Sequence, residues 1–227
     1  MSEQPAPRSA RLPREQRRQQ LLDTALQVFV AEGYHAASMD AIASAAGVTK
    51  PVLYQHFASK RDLYLALLES SLDDLLTTAR AELSGTTDNK QRVSAMAQAY
   101  FTFICSPTGA YRLVFESDLA NDPDVRARVD AADLALAHEA ARVISTDTGL
   151  SEEQALLIAS GMQGMVEVAA RRWLRSEHVD SVHVDSEHAG VPGDREKHRI
   201  DQQQAIDLLV GLAWRGIRGF PATHPPR

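Results

Sequence analysis

The chain has 227 residues, 44% of them hydrophobic, and a formal charge of −6. Its single cysteine, Cys105, excludes an intrachain disulfide framework and any cysteine-based zinc finger. No apolar run approaches the length of a membrane span and the N-terminus lacks the apolar core of a signal peptide, so a cytoplasmic protein with no membrane partner is expected. The charge is uneven. Residues 1–61 hold eight Lys and Arg against five Asp and Glu, a net +3, which leaves −9 on the remainder. A basic head on an acidic body directs nucleic acid to one end. Aromatics are only 6%, so alanine and leucine must carry much of the packing.

Residues 1–13, MSEQPAPRSARLP, are proline-rich and polar and read as a flexible basic arm. A first helix is expected over residues 14–32, with Leu21, Leu22, Ala25, Val28 and Phe29 on one apolar stripe and Gly33 as its C-cap. Residues 38–57, SMDAIASAAGVTKPVLYQHF, then hold two short apolar-periodic runs around Gly47. Ser38 and Thr49 can each cap a helix with a hydroxyl, Pro51 falls in the first turn of the second, and Gly47 suits a tight turn. That pattern is a helix-turn-helix, whose second helix enters the DNA major groove. Val48, Leu53 and Phe57 should pack inward. Lys50 and Tyr54 share another face, with Thr49, Gln55 and His56 beside it, and these groups can bond phosphates or base edges. Arg8, Arg11, Arg14, Arg17 and Arg18 run from the arm into the first helix. Such a run is often merely solvated, but beside a helix-turn-helix it suits a grip on phosphate or the minor groove.

The stretch GYHAASMDAIASAAGVTKPVLYQHFASKRDLYLALL resembles the DNA-binding domain of the tetracycline-repressor (TetR) family of transcriptional regulators. The match covers about the first third of the chain. With LPREQRRQQLL before KPVLYQHFASK, and GAYRLVFESDLANDP after it, the text looks like the actinobacterial fatty-acid-synthesis regulators, a narrower resemblance that fades after Gly149. It implies that Tyr34 packs inside the head and that Lys60, in the first turn of the next helix, contacts a phosphate. The expected fold is all-α: a helix-turn-helix domain over residues 14–60 and a ligand-binding and dimerisation body of about six helices over residues 61–220. DNA contacts are expected from Arg14, Arg17, Ser38, Thr49, Lys50, Pro51, Tyr54, Gln55, His56 and Lys60.

Ser59 should cap a long helix, residues 60–83, whose seam Leu63, Leu67, Leu68, Leu72, Leu75 and Leu76 continues past the head. A tilt of the body could thereby reorient the second helix of the motif. Helices are expected at residues 89–106, apolar on more than one face, at 110–118, and from 121–123 to about 145. Ser151, Glu152, Glu153 and Gln154 fit a capping box that opens a helix to about Arg175. Within it, Gly161 and Gly164 of GMQGM serve either close helix packing or room beside a ligand; Met162 and Met165 are adaptable apolar side chains. Arg171, Arg172 and Arg175 either meet a phosphorylated ligand or end a solvated helix. Residues 176–199 carry His178, His183, His188 and His198 among acids; they read as a mobile loop, with a metal site as the alternative. A last helix is expected over residues 200–218. Cys105 reads as a small buried side chain, a redox switch being the alternative.

No phosphate-binding glycine loop, nucleophile–base motif or metal-binding helix is present, so no enzyme, cofactor or metal is expected. A palindrome read by two heads implies a homodimer. The resemblance places its interface in the last two long helices, with Ala155, Ala159, Ala170 and Gly211 allowing close approach. An apolar effector pocket is expected from Phe101, Ile104, Tyr111, Phe115, Leu134, Met162, Met165 and Val166. The resemblance implies a long-chain acyl-CoA or related acyl ligand, and leaves activator or repressor open. The rival readings are a repressor of a neighbouring efflux or catabolic operon with another small hydrophobic ligand, an acyl-binding carrier with a vestigial head, and a non-specific architectural DNA binder.

Overall fold

A computed structural model describes residues 12–182 and 200–217. Among the described residues there are helices and no strands: α1 (Arg14–Ala36), α2 (Met39–Ala45), α3 (Lys50–His56), α4 (Lys60–Ser84), α5 (Asn89–Ile104), α6 (Ala110–Phe115), α7 (Pro123–Thr148), α8 (Glu152–Val182) and α9 (Gln202–Ile217). The chain divides into two compact units, Met1–Leu68 and Glu69–Arg227, and α4 contributes residues to both.

In the first unit, Leu21, Leu22, Ala25 and Phe29 are the buried stripe of α1. They join Ile42, Ala43, Leu53, Phe57, Leu63 and Tyr64 among the buried apolar residues of this unit. Gly33 has φ 77° and ψ 165°, so the regular part of α1 ends there, as its position predicts. Tyr34 stacks on Phe29 at 5.8 Å and meets Tyr64 edge-on at 5.3 Å. The turn between α2 and α3 closes on two bonds, Gly47 N–H to the Ser44 carbonyl at 3.1 Å and Val48 N–H to the Ala43 carbonyl at 3.0 Å. Gly47 supplies the left-handed φ of 65° that this helix ending needs.

The caps follow the sequence with one correction. The Ser38 hydroxyl accepts from Ala41 N–H at 3.0 Å, and that of Ser59 from Asp62 N–H at 3.0 Å. Thr49 occupies the N-cap of α3, but its hydroxyl makes no capping bond. Pro51 has no N–H to offer, and Val52 N–H is already bonded to the Thr49 carbonyl at 3.0 Å. The exposed Thr49 hydroxyl is thereby left for an outside partner.

In the second unit, α7 packs along α8 through Ala137, Ala141, Ala155 and Ala159. A larger core gathers Tyr100, Phe101, Ile104, Tyr111, Ala170, Leu174, Ile206 and Val210 from α5, α6, α8 and α9. Leu75, Ala79 and Leu136 join α4 to α7. The capping box at α8 is reciprocal: Ser151 N–H donates to Gln154 Oε1 at 3.0 Å and Gln154 N–H to Ser151 Oγ at 3.2 Å. An unforeseen second box opens α9, between Asp201 and Gln204 at 3.1 and 2.8 Å. Helix α6 stops at Phe115, short of the expected Asp118. Helix α8 runs on to Val182, beyond the expected Arg175. No glycine or proline interrupts it there, so the segment expected as a loop begins as helix. His183, His188 and His198 lie outside the described residues, and only the backbone of His178 is described. Cys105 is half-buried at the end of α5, against the larger core.

Candidate nucleic-acid interface and effector cavity

Helix α3 turns Leu53 and Phe57 inward and leaves Thr49, Lys50, Pro51, Tyr54 and Gln55 exposed. The Lys50 ammonium meets the Asp40 carboxylate of α2 at 3.0 Å, a hydrogen bond and charge that raise its pKa. Both side chains of this pair are exposed. His56 is half-buried. Burial first, then Arg14 and Arg18, lower its pKa, so it is a neutral donor–acceptor at neutral pH. A groove of about 590 Å³ runs between the start of α1 and α3, lined by Arg14, Arg17, Thr49, Gln55 and His56 among others. Arg18 serves inside the unit: its guanidinium lies 4.5 Å from the Phe57 ring centre and donates to the His56 carbonyl at 3.5 Å.

Lys60 has an internal task. Its ammonium donates to the carbonyls of Tyr34, His35 and Ala37 at 2.8, 3.3 and 2.8 Å and sits 4.5 Å from the Tyr34 ring centre. All three of its donors are directed at the residues that follow Gly33, so Lys60 clamps the end of α1 and is not poised toward a phosphate. Lys60→Met is expected to lower the melting stability of this unit by about 1–2 kcal/mol, the scale of charge-assisted bonds at a partly exposed site. Differential scanning calorimetry checks this.

The second unit holds a mostly apolar cavity of about 110 Å³ between α4, α5, α7, α8 and α9. Leu75, Met96, Tyr100, Leu136, Met165 and Trp214 are among its walls. Met162, Met165 and Val166 line it, as expected. The other five expected residues do not. Phe101, Ile104 and Tyr111 belong to the solid core, and Phe115 packs against that core. Leu134 is 50% exposed. It lies two positions from the lining residue Leu136, which on a helix is the opposite face.

A polar cluster reaches this cavity through Gln163. Gln163 Nε2 donates to Asp133 Oδ1 at 3.0 Å, and Arg171 pairs with Glu167 at 2.9 Å. Burial, with Glu167 and Asp130 adding to it, holds the Asp133 carboxyl up at about 6 from an ordinary 3.8. Between those values the folded chain keeps a proton that the unfolded chain has lost, so stability falls as pH rises from about 4 to about 6 and is flat above. After allowance for solvent screening the loss is about 1–2 kcal/mol. Asp133→Asn is expected to abolish that slope and to stabilise the chain by the same amount at pH 7. Urea unfolding at pH 4.5 and pH 7 reads both.

Three of the four small residues expected to allow close approach of a second copy are unavailable for it. Ala155, Ala159 and Ala170 are buried inside the protomer and cannot meet a second copy. The outward faces of α8 and α9 carry Leu157, Val168, Leu208 and Leu212, each more than half exposed. Leu157, Gly161, Gly164 and Val168 are spaced four, three and four apart, one helical stripe. A Cβ on Gly161, Gly164 or Gly211 would meet nothing within 4 Å. The two α8 glycines therefore serve neither packing within the protomer nor the cavity wall.

Two short helices joined by a glycine turn, a polar exposed second helix and a helical body around an apolar cavity define a helix-turn-helix transcriptional regulator. Residues 21–67 match the model of the bacterial regulatory proteins of the tetR family. The chain is 42% identical over 217 residues to the HTH-type transcriptional activator FasR of Mycolicibacterium smegmatis, covering 96% of this chain and 90% of that one. It belongs to the TetR family. A TetR-like transcriptional regulator from Rhodococcus sp. RHA1 superposes with a TM-score of 0.61 at 26% identity, covering 92% of this chain and 100% of that one. AibR, solved in complex with isovaleryl coenzyme A and operator DNA, shares the fold with a TM-score of 0.58 at 19% identity, over 86% and 97% of the two chains. Among the described residues no helix is long and apolar enough to cross a membrane, and no three His, Cys, Asp or Glu side chains are grouped to hold a metal.

Proposed function

We propose that this chain is a homodimeric, ligand-responsive regulator that reads a palindromic operator and answers to a long-chain acyl-CoA or related acyl compound. Thr49, Lys50, Pro51, Tyr54, Gln55 and His56 face the major groove in this reading, with Ser38, Arg14 and Arg17 at phosphates. The exposed apolar faces of α8 and α9 pair with their copies. The apolar cavity inside the second unit carries the effector part of the proposal. Its wall includes Leu75, Ala79 and Leu83 of α4, the helix that begins in the DNA-binding unit. The cavity is smaller than the roughly 300–1,000 Å³ of sites that enclose drug-sized ligands. A long acyl chain enters only as these helices part, so the ligand binds the parted state better and shifts the population toward it. The same differential affinity changes operator affinity reciprocally.

AibR has the same fold and was solved with an acyl-CoA and DNA together, which supports this class of effector. The relative in M. smegmatis is named an activator, and the activating sense is the reading that likeness favours. Control of lipid-metabolism genes follows from the resemblance of the sequence to fatty-acid-synthesis regulators. Genome-wide footprinting with palmitoyl-CoA titrated into the binding reaction tests the proposal. A changed operator complex is the expected result. An operator complex indifferent to palmitoyl-CoA removes the acyl assignment and leaves the regulator.

A further inference from the structure

Two polar atoms in the second unit lack what burial normally demands. Among the described residues, Tyr100 Oη and Gln163 Oε1 are the buried side-chain oxygens and nitrogens without a hydrogen-bond partner. Both residues line the same mostly apolar cavity, whose other polar lining residues are Asn89, Arg92, Asp147 and Thr148, and Tyr100 is only 7% exposed. Buried polar groups are normally satisfied, so two orphans in one wall mark the place of a missing partner. We infer that Tyr100 and Gln163 are the specificity pair of the effector cavity, selecting an acyl group in neutral, derivatised form, as a thioester or amide, over the free fatty acid. This rests on the effector reading of the cavity given above.

The chemistry follows from which atoms are free. The Gln163 amide is oriented by its N–H donation to Asp133 Oδ1 at 3.0 Å, which leaves Oε1 as a pure acceptor. The Tyr100 hydroxyl, held protonated by burial and by the nearby acids Glu167 and Asp133, remains a donor. A carbonyl on the ligand satisfies the tyrosine and an N–H satisfies the glutamine. A primary amide carries both, and an acyl-CoA carries a thioester carbonyl with amide N–H groups further along. A carboxylate offers no donor to Gln163 and meets Asp133 and Glu167. The cation of this cluster, Arg171, is already paired with Glu167 at 2.9 Å and lies 4.8 Å from the Phe115 ring centre. The cation in the cavity wall, Arg92, is paired with Asp147 at 3.5 Å and donates to the Thr86 carbonyl at 2.9 Å. A free acid therefore finds only cations that already have partners.

The test compares three probes of one chain length, decanamide, decanoate and methyl decanoate, binding to the full chain by calorimetry. The wild type is expected to bind decanamide at least about tenfold more tightly than decanoate, with the ester between them. Tyr100→Phe and Gln163→Met should each weaken decanamide binding by about three- to tenfold and leave decanoate nearly unchanged. Thermal melts without ligand give the second readout. Tyr100→Phe deletes an unpartnered hydroxyl, so it should melt no lower than the wild type while binding more weakly; a purely structural role would not separate the two. Equal affinity for the three probes, or decanamide binding insensitive to Tyr100→Phe, overturns the specificity pair and leaves the cavity as the effector site. Failure of all three probes to bind overturns both.

Discussion

The double variant Lys50→Ala/Tyr54→Ala is expected to weaken operator binding by roughly 30-fold or more at fixed salt, since each lost base or phosphate contact is worth about 1–3 kcal/mol. The two side chains are four positions apart on α3, both exposed, and neither supports the core of the first unit. That core is built by the buried face of the same helix, Leu53, with Phe57 just beyond its end. The melting temperature should hardly change. Lys50 loses only an exposed pair with Asp40 at 3.0 Å, and such pairs contribute little. A phosphate role for Lys50 predicts a further signature: the slope of log affinity against log salt should shallow by about 1.8 in the single variant, about 0.9 for each of the two heads. Mobility-shift titrations at three salt concentrations measure both effects. Full affinity in the double variant would mean that another surface reads the DNA.

The double variant Leu208→Glu/Leu212→Glu is expected to convert the dimer to monomers at micromolar concentration and to cost about a hundredfold or more in operator affinity, because a single head then pays the full association cost alone. The two leucines are 63% and 62% exposed, so glutamates there remain solvated in a protomer and leave its fold intact. In a dimer that buries them, they introduce four unpaired carboxylates into an apolar contact. Leu157 and Val168 on α8 extend the same kind of surface, and open space lies beside the glycines between them. Analytical ultracentrifugation distinguishes the outcomes. A dimer that persists through both substitutions would place the interface elsewhere.

The head was legible because its signals are local. Ser38, Gly47, Pro51 and Ser59 each dictate backbone geometry within a few residues, and Leu53 and Phe57 sit at a helical period. Thr49 shows the limit of reading a cap by residue type: Pro51 two positions on removed one donor, and the Thr49 carbonyl took the next. Lys60 shows another, since no periodicity could reveal that three carbonyls around Gly33 converge on its ammonium.

The body was legible as helices but not as a site. Apolar residues on α5 and α7 look alike in one dimension, and whether they line a cavity or fill a core depends on which neighbour the helix turns toward. For that reason Phe101 falls in the core and Leu134 on the surface, neither on the cavity wall that the sequence suggests. The α8 alanines are not interface residues because small residues also permit close approach within a protomer, Ala155 and Ala159 to α7 and Ala170 to the larger core. Tyr100 and Gln163 carried no sequence signal, since an unpartnered polar atom is a property of three dimensions. The spacing of Asp201 and Gln204 did carry one, a capping box like that of Ser151 and Gln154.

The most direct test is nuclease footprinting of the full-length protein on its own genomic DNA, with and without palmitoyl-CoA. The account predicts protection of a palindrome whose half-sites lie about one helical turn, ~34–36 Å, or a multiple apart, with protection that changes as the acyl-CoA is added. Protection indistinguishable from that on scrambled DNA, in both conditions, would contradict it.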